Sequence, residues 1–156
     1  MHWKQGEQVL DLVRAWRLHR QITRTEISIG AAYRLPFALH PMDTSYWTCS
    51  WADWVKIIDT DWLNRRGYVA EDFDCDDYSI AFKARMSERY GLNAVGLVID
   101  HSSVSPGPDG VPVSTPHAYN VIFLPFGLYK VFEPQNDTVP EFGAGLYMGA
   151  SGMMVL

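Results

Sequence analysis

The chain has 156 residues, 47% hydrophobic and 20% charged, which is the balance of an ordinary globular domain and not of a disordered segment. A net charge of -5 with no Lys/Arg run argues against a nucleic-acid partner. No window approaches the roughly 18–20 apolar residues that span a bilayer, so no membrane partner is expected. The start, Met1-His2-Trp3-Lys4-Gln5-Gly6-Glu7, lacks the basic and apolar run of a secretory leader. The cytoplasm is the default expectation, with secretion left open.

In chain order, residues 5–21 read as a helix, with Val9, Leu12, Val13 and Trp16 on one stripe. Residues 25–39 are ambiguous: Ile27 and Ile29 alternate as in a strand, and Pro36 and Pro41 then break the chain. Ser50, with Asp53 three residues on, has the form of a helix start, and the helix it opens carries Trp51, Trp54, Val55, Ile58 and Trp62 on one face. Gly67 is the expected stop. Asp74 opens a second helix over 75–90, with Cys75, Tyr78, Phe82 and Met86 on one broad face.

After Gly91 the period becomes strand-like. Strands are expected at 94–100, 117–124 and 128–133, with another at the apolar C-terminal end. Residues 101–116, rich in Pro, Gly and Ser, read as a surface loop or flap. Helices first and strands afterwards predict an α+β fold, with N-terminal helices packed on a C-terminal antiparallel sheet. The expected organisation is one unit over 1–156: an N-terminal extension, 1–45, and a core, 46–156.

Two cysteines are too few for a disulfide framework, so separate thiols are expected. Cys75 falls in the first turn of a helix, where free N–H groups and the dipole favour a thiolate. A nucleophilic thiol also needs a base, and that base needs an orienting acid. If Pro125-Phe126-Gly127 is a three-residue turn, Leu124 faces Leu128, Tyr119 faces Glu133 and His117 faces Gln135. His117 and Glu133 become diagonal neighbours with backbones roughly 7–8 Å apart, within side-chain reach. Against this stand Asp74, Asp76 and Asp77, whose charges oppose a thiolate but suit a hard cation.

The order Cys75, His117, Glu133, with DCDDYS opening a helix, HAYN opening a strand and EPQ ending the next, resembles the C-terminal protease domain of the Marasmius oreades agglutinin family. More broadly it is similar to the papain-like and transglutaminase-like superfamily. The resemblance covers roughly 46–156, its specific motifs only 72–135. It implies a papain-like fold and a calcium-dependent cysteine protease acting on a peptide or protein. Cys75 is then the nucleophile, His117 the base and Glu133 its orienting acid. Gln135 and Tyr119 are cleft residues, and Asp76 and Asp77 are loosely matched calcium ligands. The family's β-trefoil lectin domain has no counterpart in the chain.

Two alternatives use the same segments. One is acyl transfer to an amine, as in transglutaminases; the other is a non-catalytic binding or interaction protein on a degenerate papain-like fold. The acidic ring around Cys75 is the warrant for the binding alternative. Cys49, His19, His40, His101 and Asn120 read as structural. A phosphatase reading of the DCDD run fails, because Tyr68–Phe73 is too polar for the apolar strand that should precede it.

Overall fold

A computed structural model describes residues 20–23, 38–143, 145–147, 149 and 151–156. Of the expected helix over 5–21 only Arg20 and Gln21 are described, and they are strand, not helix; the rest of it and most of the ambiguous stretch 25–39 lie outside the described residues.

The described fold is dominated by strands. Three short ones come first: β1 (Arg20–Thr23), β2 (Ala38–His40) and β3 (Ser45–Thr48). Two helices follow, α1 (Trp51–Thr60) and α2 (Cys75–Tyr90). Six further strands complete the chain: β4 (Val95–Asp100), β5 (Val104–Pro106), β6 (Pro112–Ser114), β7 (His117–Phe123), β8 (Tyr129–Phe132) and β9 (Gly152–Val155). The main sheet runs β2-β9-β4-β7-β8, while β1 pairs with β3 and β5 with β6.

This corrects the expected α+β arrangement in three respects. Strands precede both described helices. The main sheet is mixed, because β2 lies parallel to β9. Its second strand, β9, comes from the C-terminal end and inserts between β4 and β2. The register could not reveal this, since a sequence pattern marks a strand without naming its neighbours. Residues 101–116 are also more ordered than a loop: β5 and β6 form a hairpin, with Val104 opposite Ser114.

The helix starts follow from capping chemistry. The Ser50 hydroxyl accepts from the Asp53 N–H at 3.2 Å. At α2 the Asp77 carboxylate accepts from the Asp74 N–H at 3.4 Å. Gly91, at φ 65°, ends α2 in a left-handed conformation that costs glycine little. α1 stops at Asp61, well short of Gly67. It buries Trp54, Ile57 and Ile58, whereas Val55 and Trp62 are exposed.

The strand β7 is buried along its whole length and divides two cores. On one face Ile122 packs with Trp54 of α1, Phe82 and Met86 of α2, and Phe132 of β8. The Phe82 and Phe132 rings lie 4.5 Å apart. On the other face Tyr119, Val121 and Phe123 pack with Tyr46, Val98, Val131 and Met154. Alternation along one strand therefore sorts side chains into separate apolar layers. Asn120, buried among the first set, donates to the carbonyls of Ser79 on α2 and Gly96 on β4, and so ties helix to sheet.

Candidate functional site

Cys75, His117 and Glu133 each sit at an element's end. Cys75 is the first residue of α2, His117 the first of β7, and Glu133 directly follows β8. The β7–β8 register places Asn120 opposite Phe132 and Phe123 opposite Tyr129, the pairing that a turn at 125–127 predicts. A backbone bridge from Glu133 to Thr138 holds the chain where it leaves β8.

These placements bring the three residues together. His117 Nε2 lies 2.7 Å from Glu133 Oε2, both side chains being almost wholly buried. Cys75 is half-buried at the start of α2, and its side chain is near enough to act on the imidazole's pKa. Burial alone would lower the pKa of His117. The hydrogen bonds to Cys75 and Glu133, with the Glu133 charge, outweigh burial and push it up to about 9. The imidazole is then a buried cation at neutral pH, paired with a buried anion.

Another buried carboxylate supports this pair. Asp100, opposite His117 in the β4–β7 register, accepts from the Tyr119 hydroxyl at 3.2 Å and the Gly149 N–H at 2.6 Å. Tyr119 is fully buried. It supports His117 from beneath, with ring centroids 5.9 Å apart, and does not line an open cleft. Burial, then the Asp100 charge, pushes its hydroxyl pKa well up, so the ring stays a neutral donor. Gln135 is half-buried and contributes its backbone, whose N–H donates to Glu133 Oε1 at 3.3 Å. Sequence reasoning missed Tyr147 and Asp100. Tyr147 sits in a Gly-rich tail without periodicity, and Asp100 has the pattern of any strand-end carboxylate.

The acidic residues of the helix start separate by role. Asp77 caps Asp74. Ligand atoms of Asp74, Cys75 and Asp76 fall within 4.8 Å of one another. A hydrogen bond with Asp76 holds the Asp74 carboxyl below its usual range, and the same bond raises that of Asp76. Two carboxylates and a sulfur supply only part of the shell of about six to eight oxygen ligands that calcium takes. Cys49, by contrast, is buried beneath α1, and burial pushes its thiol up to about 12. It is a core residue.

No family model and no curated protein sequence matches the chain. Solved structures do. One, titled "PSL1a-E64 complex", superposes with a TM-score of 0.60 at 20% identity, over 87% of this chain and 51% of that one. Another is a crystal structure of a Polyporus squamosus lectin bound to the human-type influenza-binding epitope Neu5Aca2-6Galb1-4GlcNAc. Its TM-score is 0.63 at 19% identity, over 87% of this chain and 49% of that one. The chain spans about half the length of the solved chains it matches. At such identity the likeness establishes a shared fold alone.

These findings correct the expectations drawn from the motifs. The described fold matches about half of each of two solved chains, one of them named as a lectin, and neither match carries the papain-like and transglutaminase-like label or the resemblance to the agglutinin protease domain. At that identity and coverage the structures carry the fold and no activity, so the cysteine-protease, hydrolase and acyl-transfer assignments, and the peptide substrate with them, have no support from either comparison. No helix among the described residues is long and apolar enough to cross a membrane.

Proposed function

We propose that the chain is a binding domain, and that its ligand seats where the start of α2 meets the start of β7, against Cys75, His117 and Glu133. The observation that carries this reading is the His117–Glu133 pair, nearly buried and 2.7 Å apart beside a half-buried thiol. A buried ion pair contributes little net stability over a well-packed apolar pair, so a structural need explains it poorly. The half-buried Cys75 side chain is the accessible edge of this group, and a polar ligand seated there meets side chains whose own hydrogen bonds are ordered before it arrives.

The lectin likeness makes a glycan the first ligand class to test, with the sialylated epitope of that lectin complex as probe. Calorimetric titration of wild type against it, alongside His117→Ala and Glu133→Gln, tests the site. The expected result is saturable binding to wild type that each substitution weakens by tenfold or more, about 1.4 kcal/mol. Equal binding by all three proteins would move the site elsewhere. Cys75-dependent cleavage of casein would overturn the binding reading itself.

A further inference from the structure

We infer that Tyr147 is the positioning residue of this site, holding Glu133 in place for His117 through a clamp built from the chain's C-terminal segment. This rests on the reading of Cys75, His117 and Glu133 as one ligand site. The Tyr147 hydroxyl donates to Glu133 Oε2 at 3.0 Å, the same oxygen that His117 Nε2 meets at 2.7 Å. Its ring stands edge-on to His117, with centroids 5.5 Å apart, and edge-on to Tyr119 at 5.2 Å. One side chain therefore touches the imidazole, its acid and the ring beneath both.

The segment carrying Tyr147 is anchored on either side. The Ser103 hydroxyl donates to the Leu146 carbonyl at 2.6 Å, and the Gly149 N–H donates to the buried Asp100 carboxylate at 2.6 Å. Gly149 has φ 63°, a conformation that disfavours a side chain. Two buried carboxylates, Asp100 and Glu133, are thus each held by a tyrosine hydroxyl, and the segment around Tyr147 bonds to both. Tyr147 stays protonated, because burial and then the Glu133 charge push its hydroxyl pKa well up. It can only donate to Glu133.

The hydroxyl also shares the carboxylate's charge with the imidazole. Removing it leaves the full charge of Oε2 to His117, so the imidazolium becomes harder to deprotonate. The test is an NMR titration of the His117 ring nitrogens in wild type, Tyr147→Phe and Gly149→Ala, assigned with His117→Ala. Tyr147→Phe keeps the ring and removes only the donor. The expected result is an upward shift of the His117 midpoint by about half a unit or more, with the thermal midpoint little changed. Gly149→Ala should move the midpoint in the same direction while also lowering the thermal midpoint. An unmoved or lowered His117 midpoint in Tyr147→Phe overturns the proposal, whatever the stability does. Because the measurement needs no ligand, a failure of the ligand site would show separately, as absent binding by a protein whose His117 still responds.

Discussion

The two faces of β7 solve opposite problems. Towards α1 and α2 the strand offers Ile122 to a layer of Trp54, Phe82, Met86 and Phe132, and apolar burial drives assembly there. At the strand's first residues the other face carries His117 and Tyr119 against Glu133, Asp100 and Tyr147. There most of the side chains are as deeply buried, but they are charged or polar and each contact is directional. The apolar region is tolerant in identity and sensitive to volume; the polar one is tolerant in volume and sensitive to identity. A strand that joins the two converts apolar packing into a fixed polar geometry at its end.

The sharpest way to separate the regions is to damage the apolar one. Phe82→Ala should cost about 3–5 kcal/mol in urea unfolding, because it empties a buried space beside Phe132 and Trp54. The surviving folded fraction should keep the His117 titration of wild type. Glu133→Gln is smaller in stability, roughly 1–3 kcal/mol, but should collapse the His117 midpoint from about 9 towards the ordinary imidazole value of 6.5.

The pH dependence follows from the same pair. The folded-state pKa of His117 is raised above 6.5, so its contribution is fully present below about 6.5 and is lost as pH rises through about 9. Wild type should therefore lose stability across that window in pH-dependent denaturation curves, and Glu133→Gln should lose less. A smaller contrast lies in the thiols. Iodoacetamide at neutral pH should label Cys75 well before Cys49, which is buried and whose thiol is pushed up to about 12. Mass spectrometry of the labelled peptides reads the order directly. Smallest of all, Val113→Thr on the exposed β5–β6 hairpin should change stability by no more than about 0.5 kcal/mol.

The contrast also explains what the sequence could and could not disclose. Elements governed by local rules were legible. Asp74 marked the start of α2 and the change of period after Gly91 its end, and alternation with a three-residue turn set the β7–β8 register that brings His117 to Glu133. Long-range choices were not. Nothing in the Ala38–His40 stretch or in Gly152–Val155 announces that β9 lies parallel to β2 and beside β4, because strand partners are chosen by the whole core. Asp76 and Asp77 are alike in sequence, yet Asp77 is taken by the helix cap and only Asp76 remains near Asp74 and Cys75. Tyr147 was hidden for a similar reason: its role depends on a glycine-rich turn docking against Asp100, which no periodicity records.

The most direct measurement is NMR mapping of ligand contacts on the intact chain, with the sialylated epitope added. The account predicts that saturating shifts centre on Cys75, His117 and Tyr147 while Phe82 and Trp54 stay unmoved, and that the ligand remains chemically intact. Shifts confined to another surface, or Cys75-dependent cleavage of added casein, would contradict it.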